Sequence, residues 1–349
     1  MPADLQYAMS SFLMFRESAD QNKWFSNRFP RSFVDFPKER TAVCNSKELL
    51  CALKEQIDSH TKGKKIGLAL SGGIDSAILL QLMPENTVAY TLKCVSPGVE
   101  FIDESPQAKR YIDFAAPEIG HTVIPVFWED MGTLSPALMR HKGAPIHSIE
   151  VQIFKLAAQA RADGCDMVVF GETADCLYGG LSKLLSRDWS FGEFVDRWSF
   201  VMPYLALKNP QLILEPFRPF EKNGYIDVPG FLSELFARHA LNSYNNACAV
   251  AGIELFAPYA HTVMGCPLDM KRIRAGEGKY IVRGVFQELY QDFTPPQKTP
   301  MPRPMSEWLK DWRGPVRDEF WPHCTDGMTG DQKWLVWALE RFLDILDDA

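Results

Sequence analysis

The amino-acid sequence predicts an α/β fold: a parallel sheet with helices on both faces, followed by a mainly helical C-terminal part. Three observations lead there. Short apolar runs at residues 65–70, 87–94, 121–127 and 167–170 alternate with stretches of helical period, the pattern of strands buried on both faces and joined by crossover helices. Two of those runs lead straight into glycine-containing segments, residues 71–76 and 171–180, and ligands of such sheets bind beyond the carboxyl ends of the strands. Beyond Leu181 the alternation stops, and longer helical stretches such as residues 229–250 and 279–290 are separated by proline-rich connectors, residues 294–304 being the clearest.

Each element has a local reason. A helix at residues 45–60 can be capped by Asn45 or Ser46 and places Leu49, Leu50, Leu53 and Ile57 on one face before Gly63 breaks it. The run at 65–70, Lys-Ile-Gly-Leu-Ala-Leu, reads as a strand; after a glycine turn, a helix at 77–83 runs to Pro84, which ends it. Strand 87–94, helix 105–116, strand 121–127, helix 150–161 and strand 167–170 continue the alternation. The first residues are the least readable; 7–15 reads as a strand that carries no chemistry. The expected organisation is therefore an N-terminal segment (1–44), an α/β core (45–185) and a mainly helical region (186–349) that completes the active site.

A chain of 349 residues with 46% hydrophobic residues can bury a large core. Its 37 basic against 44 acidic side chains give a net charge of −7, opposite to the footprint of a protein that grips nucleic acid. The eight cysteines include no C-x-x-C pair and no zinc-ligand spacing, so they read as reduced thiols of a cytoplasmic protein. No apolar run approaches the roughly 18 to 20 residues of a membrane helix, and the opening Met1-Pro2-Ala3-Asp4 lacks the positive charge of a signal peptide. The expectation is a cytoplasmic protein with neither a nucleic-acid nor a membrane partner.

Chemistry is concentrated at residues 71–76, Ser-Gly-Gly-Ile-Asp-Ser. Paired glycines let the backbone turn sharply and approach an anion, while unpaired N–H groups at the start of the following helix point at it. Ser71 and Ser76 add hydroxyl donors, and Asp75, a carboxylate beside phosphates, makes sense chiefly as a ligand for Mg²⁺. The Walker spacing G-x-x-x-x-G-K-[ST] and its lysine are absent.

Residues 71–76 closely resemble the Ser-Gly-Gly-x-Asp-Ser signature of the pyrophosphate-loop ATP pyrophosphatases, whose members cleave ATP between the α and β phosphates. The second segment, Gly171-Glu172-Thr173-Ala174-Asp175-Cys176-Leu177-Tyr178-Gly179-Gly180, resembles the Ser-Gly-Glu-Gly-Ser-Asp-Glu-Leu-Phe-Gly-Gly segment of asparagine synthetases. Residues 252–259, 278–283, 298–302 and 307–309 continue the match, which covers residues 45–310 and corresponds to the synthetase domain, an adenine nucleotide alpha hydrolase-like fold. The resemblance implies an ATP-dependent carbon–nitrogen ligase that adenylates a carboxylate, transfers it to ammonia or an amine, and releases AMP and pyrophosphate.

Residue by residue, the resemblance assigns Ser71, Gly72, Gly73 and Ser76 to the triphosphate, Asp75 and Asp175 to Mg²⁺, and Leu70, Leu92 and Gly171 to the nucleoside. Lys279 and Lys298 would neutralise pyrophosphate and the charge that develops as the acyl-adenylate forms and reacts. Glu172 would take a proton from the attacking amine; the lactam-forming relatives carry tyrosine there. Cys176 stands where asparagine synthetases have a second glutamate, and a neutral thiol cannot replace a carboxylate that binds a charged group. The glutaminase domain that usually precedes this one has no counterpart, position 2 being Pro2. The implied nitrogen source is free ammonia, another amine, or ammonia from a separate glutaminase.

Rival readings are a thiolation-type enzyme acting on a nucleic-acid base, which would call for a cysteine pair and a basic surface, and an inactive nucleotide-binding homologue. His141 and His147, six apart in an expected loop, fit no zinc motif and read as solvated histidines. Cys176 has no histidine near it in sequence and reads as a buried thiol rather than a nucleophile. Trp308, Trp312, Trp321, Trp334 and Trp337 read as packing for the C-terminal helices, and residues 340–348 as an amphipathic terminal helix.

Overall fold

The computed structural model describes all residues except 1–3, 21, 32, 292, 295–300 and 349. The chain enters through α1 (Leu5–Phe15), where the Asp4 side chain accepts the Tyr7 amide at 3.0 Å. This segment reads as a strand in sequence but is a helix buried over residues 7–15. Ala8, Met9, Phe12 and Leu13 pack into one apolar cluster, Tyr7, Met14 and Phe15 into another. A helix covered all round loses the polar face that would reveal its period.

β1 (Thr41–Val43) leads into α2 (Ser46–Thr61). Asn45 caps that helix by accepting the Glu48 amide at 3.0 Å, and Glu48 reaches back to the Cys44 amide at 2.7 Å. The alternation continues with β2 (Ile66–Ala69), α3 (Ile74–Leu82), β3 (Thr87–Cys94), α4 (Ser105–Ala115), β4 (Gly120–Val126), α5 (Trp128–Lys142), α6 (Ser148–Ala162) and β5 (Met167–Val169). β1 and α5 are additions to the sequence reading. Pro136 lies inside α5, which is the residue that normally argues against a continuous helix.

β6 (Glu221–Lys222) and β7 (Tyr225–Ile226) form an antiparallel pair, while β8 (Glu254–Phe256) pairs with β5 and β9 (Thr262–Met264) pairs with β1. The central sheet has five parallel strands in the order β4-β3-β2-β5-β8. β3 and β4 are laid to one side of β2, β5 and β8 to the other. The order therefore reverses between β2 and β5, and the loops that leave their carboxyl ends diverge around a crevice.

The region after β5 is mainly helical, with Ala237–Ala251, Tyr280–Leu289 and Gly330–Asp347 as its long elements. Gly330–Asp347 packs on α1 and α5. Trp334 and Trp337 lie 4.7 Å apart there, and Trp128 joins Trp337 at 5.8 Å and Trp308 at 6.1 Å. The tryptophans thus pack the C-terminal helices as their sequence suggests, except Trp321, which is 47% exposed. Among the described residues no helix is long and apolar enough to cross a membrane.

Neither histidine singled out in the sequence is a solvated loop residue. His141 lies inside α5 with Nδ1 2.8 Å from the Asn246 side chain, and His147 is buried at the start of α6. Between them lies a fully buried ion pair, Lys142 to Glu150 at 2.8 Å. Glu150 also accepts the His147 amide at 2.9 Å and the Asn246 side chain at 2.7 Å. A buried pair is tolerable when its remaining polar valences are filled in this way.

Glu17 shares this interior. It is 3% exposed, accepts from the Asn242 side chain, and its Oε2 has no hydrogen-bond partner among the described residues. Burial pushes its carboxyl up to about 7 against the opposing pull of Lys142 and Asn242. Because the folded value lies above the unfolded one, its stability contribution is full below about pH 4.5 and is lost as pH rises through about 7. Glu17→Gln should flatten the stability curve across that window and leave the variant more stable than wild type at pH 8, by on the order of 3 kcal/mol. Parallel denaturation midpoints for the two proteins from pH 4 to 8 would remove Glu17 as a titrating group.

Candidate active site

The crevice at the switch point is a cavity of about 280 Å³. Its floor is the turn from β2 to α3. Gly73 is the N-cap of α3 and offers no side-chain cap, so the first-turn amides face the cavity as orphan donors. The turn is held by its own serines: the Ser71 amide donates to Ser76 Oγ at 3.0 Å, and the Gly73 amide donates to Ser71 Oγ at 3.1 Å. Tyr259 and Tyr290 brace the helix behind it by donating to the carbonyls of Asp75 at 3.2 Å and Ala77 at 2.7 Å.

The opposite wall is the loop after β5. Gly171 sits against α3, where an added Cβ would lie 3.1 Å from Asp75 Cβ. Glu172 follows, half-buried beside Tyr244, whose hydroxyl donates to it. Burial raises the Glu172 carboxyl above its ordinary value, with Asp175 and Asp75 adding to the rise and the Thr173 amide and Tyr244 opposing it. Thr173 then takes a left-handed φ of 72° and turns the chain so that Asp175 faces Asp75.

Lys279 closes the site. It stands at the start of the helix Tyr280–Leu289 with φ of 58°, and its ammonium lies between two carboxylates, 2.7 Å from Asp175 and hydrogen-bonded to Asp75. Burial pulls this ammonium down, but Asp75 and Asp175 outweigh it and hold Lys279 above its ordinary value. The packing leaves no spare volume: a Cβ on Gly180 would come within 1.9 Å of Asp175 Oδ1 and 2.5 Å of Lys279 Cε. Two carboxylates already sharing one cation fit Mg²⁺, which takes one or two carboxylates and completes its octahedron with phosphate and water. Among the described residues no group of three or more His, Cys, Asp or Glu side chains forms a metal site.

The sequence-derived residues come together here. Ser71, Gly72, Gly73, Asp75 and Ser76 line the floor, Gly171, Glu172 and Asp175 the far wall, and Lys279 the rim, while Leu70 and Leu92 belong to an apolar side shared with Ile153, Leu156 and Phe170. Lys298 lies outside the described residues. Cys176 is buried at 3% exposure.

Two lining residues were not foreseen. Tyr244 comes from a helix 70 or so residues beyond the loop it supports, and no local pattern marks it. Glu104, just before α4, accepts the Gly72 amide, and burial raises its carboxyl. Its Oε1 lies 3.5 Å from where a Gly72 Cβ would be. The Glu104 carboxylate thus takes up one of the loop's amide donors. The clue in sequence was an acid directly preceding a helix, which reads as an ordinary cap.

Comparison with known proteins places these residues in context. A family model described as asparagine synthase matches residues 48–322, which include both loops and Lys279. The comparison with curated proteins finds no match. The chain is also similar to two solved structures. One is an NH3-dependent NAD synthetase from Campylobacter jejuni, with 15% identity and a TM-score of 0.26 over 39% of this chain and 61% of that one. The other is NMN synthetase from Francisella tularensis, with 13% identity and a TM-score of 0.29 over 74% of this chain and all of that one. The chain therefore spans less than two thirds of the first of these.

Removing the Glu104 charge should make the loop a better anion site. Glu104→Gln is expected to tighten pyrophosphate binding about tenfold, equivalent to about 1.4 kcal/mol, as read by calorimetry at fixed salt. Unchanged or weaker binding would mean that Glu104 supports the loop rather than competing for it.

Proposed function

Because the chain belongs to the asparagine synthase family, we propose that it is an ATP-dependent, AMP-forming ligase that adenylates a substrate carboxylate and passes the acyl group to ammonia or an amine. The observation that carries this reading is the meeting of Asp75, Asp175 and Lys279 at one point above an uncapped helix start. Phosphoryl and adenylyl transfer need positioned charge more than covalent partners, and this arrangement supplies it.

On this reading the amides and hydroxyls of residues 71–76 hold the β and γ phosphates, and the apolar side with Leu70 and Leu92 takes the nucleoside. Asp75 and Asp175 would hold Mg²⁺, which when bound supplies charge neutralisation on the triphosphate. Lys279 then turns from the carboxylates to the departing pyrophosphate, and Lys298 adds a second cation. The substrate carboxylate attacks the α-phosphorus, forming the acyl–adenylate bond as the bond to the pyrophosphate oxygen breaks. An amine next attacks the acyl carbon, expelling AMP. Glu172, whose carboxyl burial makes more basic, is placed to take the proton the amine loses. The nitrogen donor in this proposal is free ammonia, another amine, or ammonia supplied by a separate glutaminase, and the reaction takes place in the cytoplasm.

Two substitutions test the assignment. Asp75→Ala should abolish release of labelled pyrophosphate while the circular dichroism and melting temperature of the protein stay close to wild type; a fully active Asp75→Ala enzyme would defeat the proposal. Gly180→Ala should cost roughly 100-fold in kcat, since displacement of a catalytic group by about 1 Å carries that penalty. Retention of wild-type kcat would show that Asp175 and Lys279 need not hold this geometry.

A further inference from the structure

Cys44 and Cys266, far apart in the chain, are brought together by the pairing of β1 with β9. The two strands run parallel with Val43 opposite Met264, and the Gly265 amide donates to the Val43 carbonyl at 2.9 Å just beyond the last paired residues. Continued by one step, that register sets Cys44 opposite Gly265 and Cys266 one residue further along. For strands about 4.8 Å apart with a rise of about 3.3 Å per residue, the two Cα atoms are then about 6 Å apart. A disulfide needs roughly 4.4 to 6.8 Å.

The side chains close the remaining distance. The Cys266 thiol donates to the Cys44 carbonyl at 3.8 Å, and the two thiols are hydrogen-bonded to each other. Gly265 makes the room, since a Cβ there would lie 3.3 Å from Cys44 Sγ. Cys44 is exposed and Cys266 half-buried, so a small reagent reaches both. Cys51, the other exposed cysteine, donates instead to Glu55 at 3.7 Å.

The pair stands at the root of the segment that carries Lys279. After Cys266, Asp269 caps the short helix Met270–Arg274 by accepting the Lys271 and Arg272 amides at 3.0 and 3.2 Å. Ile273 of that helix packs against the second loop, where a Cβ on Gly179 would come within 2.6 Å of it. Gly276 and Gly278 then lead to Lys279. The far end of the segment is fastened to the same place as the near end: Ser46 donates to the Ile281 carbonyl at 2.8 Å, and Cys44, two residues before it, meets Cys266. The Cys44 amide is itself held by Glu48 at 2.7 Å. Residues 266–281 thus form an arch with both feet at the start of α2 and Lys279 beside one of them.

We propose that Cys44 and Cys266 are a modification site for small-molecule disulfides, forming a reversible disulfide that fastens this arch and slows the enzyme by restraining Lys279. The effect on the enzyme rests on the ligase reading above, in which Lys279 leaves Asp75 and Asp175 to follow the pyrophosphate; formation of the bond does not. The adjoining Cys266, with burial and Glu48 adding less, holds the Cys44 thiol up to about 11, so Cys44 keeps its proton. Cys266 therefore attacks first: its thiolate displaces one sulfur of the reagent, which leaves and takes up the proton that Cys266 lost. With the Cys266 sulfur capped, its hold on the Cys44 proton ends. Cys44 then attacks the capped sulfur as a thiolate and expels the second half of the reagent as a thiol. Two cysteine thiols are oxidised to one disulfide, and one disulfide reagent is reduced to two thiols. In a reducing compartment such a bond is transient, which suits a switch.

The test keeps the full chain at pH 8 in mixtures of oxidised and reduced glutathione, followed by acid quenching, alkylation and peptide mapping. The expected product is a peptide pair joined through Cys44 and Cys266, lighter by two hydrogens, that reverts in dithiothreitol and never includes Cys51. Glutathione left attached to either cysteine, or both cysteines alkylated at every ratio, would overturn the disulfide. Activity is read on the same samples as pyrophosphate release with ATP, Mg²⁺, a panel of carboxylic acids and hydroxylamine as trapping nucleophile. Oxidation should lower kcat by about 10- to 100-fold, as for a misplaced catalytic group on an impeded loop, with KM for ATP unchanged. Cys266→Ser should make the enzyme indifferent to the oxidant. A bond that forms with kcat unchanged would overturn its control of Lys279. Absence of pyrophosphate release from the reduced protein with every acid would defeat the ligase reading, while the linked peptide would still establish the modification site. The wild-type peptide map decides the matter even if the variant fails to fold.

Discussion

One ammonium between two carboxylates organises this molecule. Asp75 belongs to the helix after β2, Asp175 to the one-turn helix Ala174–Leu177 after β5, and Lys279 to the start of a helix from the C-terminal region. These three segments are far apart in the chain and meet only because the strand order reverses between β2 and β5. Each carboxylate alone would repel the other and any polyphosphate. Lys279 removes that repulsion in the folded protein, and either carboxylate alone still partners it. The site and the docking of the C-terminal half on the sheet are therefore one interaction seen from two sides.

The N-terminal segment is held by packing rather than by charge. Its helix is wedged between two apolar clusters and against the last helix of the chain. Arg16, at its end, meets His147, which belongs to the same buried network as Lys142, Glu150 and Asn246. The segment that seems least informative in sequence is thus tied into a buried polar network.

How much could be read from sequence follows from what each feature needs. β2, β3, β4 and β5 were legible because strands covered on both faces become short apolar runs, and the phosphate turn was legible because glycine and serine at fixed spacing dictate local geometry. α1 was not, since a helix buried on all sides shows an apolar run without a period. β8 was quoted as a motif but not as a strand, because three residues give no periodicity. Asp75, Glu172, Asp175 and Lys279 were found through motifs, and the cavity gathers them. Glu104 and Tyr244 were missed because each acts through neighbours remote in sequence: a lone tyrosine leaves no local trace, and an acid before a helix reads as a cap.

The same sheet order has a consequence for how the chain reaches its native state. β2, β3, β4 and β5 are all made early in synthesis, whereas β8, which covers the edge of β5, comes from residues 254–256 and the cover of α1 is completed when Gly330–Asp347 has emerged. During translation β5 is an open parallel edge and α1 an uncovered apolar helix, the two kinds of surface that recruit other chains. Pairings of such long sequence separation are also slow to form. The nascent protein is accordingly most vulnerable to aggregation just before its last helix leaves the ribosome, long after its phosphate loop has been written.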